Sequence, residues 1–190
     1  MKIHIVAGDI CGFNGDVVVN AANPAMLGGG GVDGAIHRGA GPALKEACKM
    51  VWKDADGVRC PVGQVRPTPA FNLPCKWVFH TSGPIFNLQR AGFGHPGESI
   101  EGDTDPEGLL KSCFRRCGVL AVAMGLESIA FPAISTGVYG CPQETCARVA
   151  AEWIRAFNGR PLDVTFYIHP AEHLGTWMKI FEGAGIEIEC

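Results

Sequence analysis

Three short segments carry residue types that could share one chemistry. Gly28-Gly29-Gly30-Gly31 runs directly into Val32 and Asp33. Backbone N–H groups of such a run, where it opens a helix, suit a phosphate. The run is not a Walker loop, because no Gly-Lys-Ser/Thr follows, and it comes after the second strand rather than the first, unlike a dinucleotide fingerprint. Its other reading is a tight turn. Ser135-Thr136-Gly137-Val138-Tyr139-Gly140 offers two hydroxyls and a series of N–H groups, the makings of an anion nest. Two nests facing each other suit a diphosphate, and Tyr139 would present an aromatic face to a sugar or base. Asn20-Ala21-Ala22-Asn23-Pro24 brings uncharged donors and acceptors that match ribose hydroxyls, although Asn-Pro is also turn chemistry.

Asp33, just past the glycines, has two readings. One is a helix N-terminal carboxylate. The other is a group that orients or deprotonates a water beside a phosphate-bound ligand. Asp9 closes an apolar stretch beside Gly8 and either accepts from an exocyclic amine or caps a turn. His37, one turn beyond Asp33, reads as a helix-face histidine without a catalytic role. No Ser-His-Asp spacing and no metal triad stand out. Cys113 and Cys117 lie one helical turn apart; buried small apolar side chains describe them better than metal ligands.

The elements that must hold these segments follow from periodicity. Residues 3–7, 17–19, 76–81, 128–131 and 163–168 read as strands, with Ile186 and Ile188 as a further candidate. Ile36, Ala40, Leu44, Ala47 and Val51 recur every three or four residues, as one helix facing the core. Leu110 to Met124, Cys146 to Phe157 and Leu174 to Phe181 give three more. Residues 87–106, with four glycines and several charges, form a long surface loop. Alternating strands and helices predict an α/β fold, a mostly parallel sheet with helices on both faces. No linker or repeat divides the chain, so residues 1–190 are one domain. Ligands of such sheets sit beyond the carboxyl ends of the strands. Residues 8–10, 20–31, 82–84, 133–140 and His169 all fall at those ends, which predicts one composite site.

Composition narrows the class. The 190 residues are 47% hydrophobic and 18% charged, which excludes a disordered chain. Sixteen Lys and Arg against nineteen Asp and Glu leave a net charge of −3, so bulk attraction to nucleic acid is not expected. No run of eighteen apolar residues suggests a membrane span. Nine cysteines, an odd number without a C-x-x-C pair, and no export signal point to reduced thiols and a cytoplasmic location.

Taken in order, Gly8-Asp9-Ile10, Val17-Val18-Val19-Asn20-Ala21-Ala22-Asn23-Pro24, Gly28 through His37, His80-Thr81-Ser82-Gly83-Pro84 and Phe131 through Gly140 resemble a macrodomain of the MacroD type. Five motifs in order, over nearly the whole chain, are specific where each alone is weak. The resemblance implies a three-layer α/β/α fold with a central mixed, mostly parallel sheet. It implies that ADP-ribose, O-acetyl-ADP-ribose and mono-ADP-ribosylated proteins are the partners, with no cofactor and no metal. Carried over residue by residue, Asp9 and Ile10 would hold adenine. Gly30, Gly31 and Val32 would face the diphosphate on one side, and Ser135, Thr136, Gly137 and Val138 on the other. Asn20 and Asn23 would meet ribose, Tyr139 would pack on the distal ribose, and Asp33, with Asn23, would be catalytic. His169 occupies the place where an aromatic residue usually stacks on adenine, and Cys11 stands where threonine is usual. The loop between Phe86 and Pro106 is longer than in bacterial members. The implied activity is hydrolysis of an ester at the distal ribose; a non-catalytic ADP-ribose reader is the rival.

Overall fold

The computed structural model describes residues 1–87 and 105–189. Strands β1 (Ile3–Ala7), β2 (Val17–Ala22), β3 (Val65–Pro69), β4 (Trp77–Ser82), β5 (Ser128–Pro132) and β6 (Asp163–Ile168) form a six-stranded sheet in the order β1-β6-β5-β2-β4-β3. Every neighbouring pair is parallel except β3–β4. Helices α1 (Gly31–Ala40), α2 (Pro42–Met50), α3 (Pro106–Ala123), α4 (Gln143–Ala156) and α5 (Leu174–Gly183) cover it.

The side-chain period of two in a strand sends neighbours to opposite faces, and each face has its own core. Val17, Val19, Phe79, Ile129, Phe131, Val164 and Phe166 point toward Leu110, Phe114, Trp153, Trp177 and Phe181 of α3, α4 and α5. Val18, Val78 and Ala130 point the other way, toward Ile36, Leu44 and Cys48 of α1 and α2. Both faces are therefore covered, which is why β2 reads as an unbroken apolar run and why Val17, Val18 and Val19 have no exposure. The α3–α5 face is aromatic: Phe114, Phe131, Phe166 and Trp153 sit with ring centroids 5.2–6.2 Å apart. Such pairs add about 0.5–1.5 kcal/mol each beyond the area they bury. The expected three-layer α/β/α sandwich is what forms.

Several boundaries differ from expectation. The helix expected across residues 36–51 is two helices. Gly41 adopts φ 82°, a left-handed conformation open to glycine, and Pro42 starts α2. β3 carries Pro67 and Pro69 and gave no strand signal; it is an edge strand, where missing N–H donors are tolerated. Ile186 and Ile188 belong to no strand, although the tail lies along β1 with the Glu189 amide donating to the Ile3 carbonyl at 2.8 Å. Of the loop expected at 87–106, residues 88–104 lie outside the described residues. α3 begins just after it, capped by Asp105, which accepts from the Gly108 amide at 2.8 Å.

Among the described residues, no helix is long and apolar enough to cross a membrane, and the eight described cysteines are unbonded. Cys113 and Cys117 are fully buried in the α3 face, as the packing reading expects.

Candidate functional site

The C-terminal ends of β2, β4 and β5 open into a cleft of about 330 Å³. Its walls are Ala21, Ala22 and Asn23 after β2, residues 29–33, Gly83 after β4, and Ala133, Ser135, Gly137, Val138 and Tyr139 after β5. The two glycine-bearing turns thus stand on opposite sides of one space. None of these lining residues is Lys or Arg, so the described walls offer an anion backbone N–H groups and neutral side-chain donors rather than cations.

On one wall, α1 begins at Gly30 with no side-chain cap, and the Gly34 amide makes the first intrahelical bond, to the Gly30 carbonyl at 3.2 Å. The amides of Gly31, Val32 and Asp33 are left over, as in any uncapped first turn. They aim the positive end of the helix dipole at the cleft. On the other wall, the 135–140 turn is tied to itself. Thr136 donates from its hydroxyl to the Ala133 carbonyl at 2.9 Å, and the Cys141 amide donates to the Ser135 carbonyl at 2.9 Å. The Gly137 and Val138 amides have no acceptor among the described residues. The Tyr139 carbonyl accepts from Phe86 and Asn87 at 2.8 and 3.1 Å, which braces the turn from the end of the β4 segment. Thr136 does not line the cleft; its hydroxyl is engaged within the turn.

Asp33 lies at the floor between the walls, 3% exposed. Its Oδ1 accepts from Asn20 Nδ2 at 2.6 Å. His37 Nε2 stands 3.4 Å from the same oxygen, close enough for electrostatic attraction but outside hydrogen-bond alignment. Oδ2 has no partner. Burial pushes the carboxyl above its usual range, opposed by the Asn20 hydrogen bond and by His37. A Cβ on Gly29 would sit 3.1 Å from Asp33 Oδ2 and 3.5 Å from Asn23 Nδ2. The bare Gly29 is therefore what leaves these two side chains facing shared space.

The two asparagines separate. Asn23 lines the cleft, and its amide also builds the turn, accepting from the Met26 amide at 3.1 Å and donating to the Gly28 carbonyl at 3.3 Å. Asn20, expected against ribose, has no exposure. Strand alternation turns it under the cleft, where its Nδ2 also lies 3.1 Å from His80 Nδ1. This corrects the ribose contact: Asn20 holds Asp33 from below.

Asp9, Ile10 and His169 lie outside the cleft lining. Asp9 is exposed and caps a short 3-10 turn, accepting from the Cys11 amide at 2.9 Å. Ile10 is buried in the α1–α2 core, and His169 is exposed just after β6.

Sequence reasoning missed His80, Thr68 and Cys48. His80 is fully buried, and burial, reinforced by His37, lowers its pKa to about 3. Its Nε2 is 2.9 Å from Thr68 Oγ1 and 3.7 Å from Cys48 Sγ. Burial and the Asp33 carboxylate push the Cys48 thiol up to about 11. His37, Cys48 and His80 bring possible metal-ligand atoms within 4.8 Å of one another. The donor chemistry does not fit a metal. Asn20 Nδ2 can only donate, so His80 Nδ1 must accept, and Nε2 then carries the proton and has no lone pair for an ion. The signal available beforehand was slight: one histidine within an apolar strand.

Against this geometry, the Macro domain family model matches residues 19–150. A macro domain-containing protein of Vibrio parahaemolyticus is 45% identical, covering 92% of this chain and 94% of that protein. A protein of Enterobacter cloacae named O-acetyl-ADP-ribose deacetylase is 40% identical over 99% of this chain and 98% of its own length. Among solved structures, a mutant Oceanobacillus iheyensis macrodomain with ADPR superposes with a TM-score of 0.82 at 36% identity, covering 94% of this chain and 91% of that one. The Trypanosoma brucei macrodomain in complex with ADP-ribose gives 0.74 at 32% identity, covering 94% and 68%. The chain belongs to the macro domain family.

Proposed function

We propose that the protein binds ADP-ribose in this cleft and hydrolyses an ester on its distal ribose. The observation that carries the reading is the pair of amide-bearing walls with one carboxylate between them at the floor. The α1 N-terminus and the Gly137 and Val138 amides would grip the diphosphate from opposite sides. Asn23 and Tyr139 would then position the distal ribose, and holding the reactants in place replaces a costly encounter. Asp9, Ile10 and His169 would hold the adenine end, outside the cleft proper. Relatives named O-acetyl-ADP-ribose deacetylase and neighbours solved with ADP-ribose support both the ligand and the ester.

In the proposed reaction, water held by Asp33 attacks the ester carbonyl and gives a proton to the Asp33 carboxylate. The tetrahedral intermediate collapses, the sugar oxygen leaves and takes up the proton held by Asp33, which returns to its carboxylate form, and a carboxylic acid is released with ADP-ribose. The acid is acetate from O-acetyl-ADP-ribose, or the Asp or Glu side chain of a mono-ADP-ribosylated protein. No step calls on a metal or cofactor. The unbonded cysteines fit a reducing compartment such as the cytoplasm.

The rival reading is an ADP-ribose reader. The burial of Asp33 favours it, since an enclosed carboxylate can be structural. Turnover of O-acetyl-ADP-ribose and of a glutamate-ADP-ribosylated protein, followed with ADP-ribose calorimetry, separates the two. Wild type is expected to consume both. Asp33→Ala should lower kcat by ~10²–10⁴ while leaving ADP-ribose affinity within about threefold. Tight binding without turnover in the wild type would establish the reader.

A further inference from the structure

We infer that His80 and Thr68 are positioning residues for Asp33: His80 Nδ1 takes one amide hydrogen of Asn20, and Thr68, on the antiparallel edge strand, anchors the far end of the imidazole, so that Asn20 presents its other amide N–H to the carboxylate. The inference deepens the hydrolase reading and rests on it. The chain of contacts is continuous. Asp33 Oδ1 accepts from Asn20 Nδ2 at 2.6 Å, Nδ2 lies 3.1 Å from His80 Nδ1, and His80 Nε2 lies 2.9 Å from Thr68 Oγ1. Asn20 and His80 are fully buried, and Thr68 is 3% exposed, so these contacts are shielded from bulk solvent.

A carboxamide in this place has two orientations, and Asn20 Oδ1 has no partner in the one adopted. With His80 protonated at Nε2, Nδ1 accepts, and Asn20 must turn its NH₂ between the imidazole and Asp33. With the proton at Nδ1, the imidazole would donate instead. Asn20 would then turn its oxygen toward His80 and, with it, toward Asp33. An oxygen facing an ionised carboxylate is repelled, and the carboxylate would hold its proton to higher pH. The Thr68 hydroxyl can accept from Nε2–H or donate to a bare Nε2, so it leaves the tautomer to Asn20; its part is to anchor the far end of the ring at 2.9 Å, where Cys48 Sγ, at 3.7 Å, is only a weak partner. The other groups packed around Asp33 are His37 on its own helix, Cys48 from α2 and Asn23 from the turn, with Arg59 beyond Cys48. Among the described residues, only Asn20 donates a hydrogen bond to the carboxylate; the Asn23 amide donates to the Gly28 carbonyl instead.

The test uses Thr68→Val, which keeps the shape and removes the hydroxyl that anchors the ring, beside Thr68→Ser, which restores it. Thr68→Val should lower kcat about tenfold at neutral pH, equivalent to about 1.4 kcal/mol in the barrier. It should also move the acidic limb of the kcat–pH profile to higher pH, with ADP-ribose affinity unchanged. Thr68→Ser should return both toward wild type. If Thr68→Val does not fold, His80→Asn, whose amide oxygen takes the place of Nδ1, should outperform His80→Gln, which has no acceptor there. Long-range ¹H–¹⁵N spectra of the wild type should show His80 protonated at Nε2. Protonation at Nδ1, or a Thr68→Val profile matching wild type, overturns the inference. Absence of all ester turnover in the wild type would sink the hydrolase reading instead. The relay would then be judged from the His80 tautomer and from the Asp33 titration in Thr68→Val, followed by ¹³C NMR.

Discussion

Asp33 and His80 are buried ionisable groups only a few ångströms apart, and they bend stability with pH in opposite senses. The Asp33 pKa is raised in the fold. Between the ordinary carboxylate value and the raised one, the folded chain binds more protons than the unfolded chain. Stability from this group therefore declines as pH rises through that window. Asp33→Asn removes the buried charge and keeps an acceptor for Asn20. It should melt no lower than wild type at pH 7, with any advantage shrinking on acidification, while turnover is lost; scanning calorimetry at several pH values reads this directly. His80 runs the other way. Its pKa falls from 6.5 to about 3 on folding, so the unfolded chain takes the proton first as pH drops. Between about pH 6.5 and 3 it should remove up to about 1.4 kcal/mol of stability per pH unit. Urea melts at pH 7 and 5 should show this loss in wild type and a flatter response in His80→Gln.

The elements depend on glycines at close approaches, and two of these separate site from scaffold. Gly83 follows β4 and lies against the 133–140 turn. A Cβ there would fall 2.7 Å from Ile134 Cγ2 and would also collide with Ser135 Oγ. Gly83→Ala should displace that wall of the cleft and weaken ADP-ribose binding about tenfold, ~1.4 kcal/mol. Gly118 packs α3 on α4, where a Cβ would fall 2.7 Å from Trp153 Cζ2. Gly118→Ala should cost about 1–3 kcal/mol of stability through overpacking and leave binding unchanged. Equal loss of binding in both variants would show that the wall is not independent of the helical layer. Element boundaries were legible wherever local chemistry dominates. The strong apolar strands and the α3, α4 and α5 periodicities stood out. Gly41-Pro42 carried a break signal that an unbroken apolar period outweighed. β3 stayed hidden because two prolines argue against a strand, and only its place at the sheet edge makes them harmless.

For the molecule as a whole, the cleft is built from backbone donors in a chain of net charge −3. Without a Lys or Arg among the described lining residues, few counterions are displaced when an anion enters. The affinity for ADP-ribose should therefore change less than about threefold between 50 and 500 mM salt. Single-stranded RNA should show no measurable binding by calorimetry, since phosphate-driven association needs cationic contacts. A steep salt dependence would mean that charged side chains outside the cleft share in binding.

The glycine runs, the Asn and Asp between them and the repeated strand–helix pattern were readable because each is a local signal: backbone freedom, hydrogen-bonding capacity and hydrophobic period are properties of short stretches. They sufficed to bring residues 20–33 and 133–140 to one sheet edge. What folding alone settled is which way each side chain faces and what lies behind it. Asn20 is three residues from Asn23, yet one sits beneath the cleft and the other in its wall, because the pleat ends between them. His80 and Thr68 are 47 and 35 residues from Asp33 in the chain. They meet it only through the pairing of β2 with β4 and of β4 with β3. A pattern confined to a few neighbouring residues cannot encode contacts made across three strands.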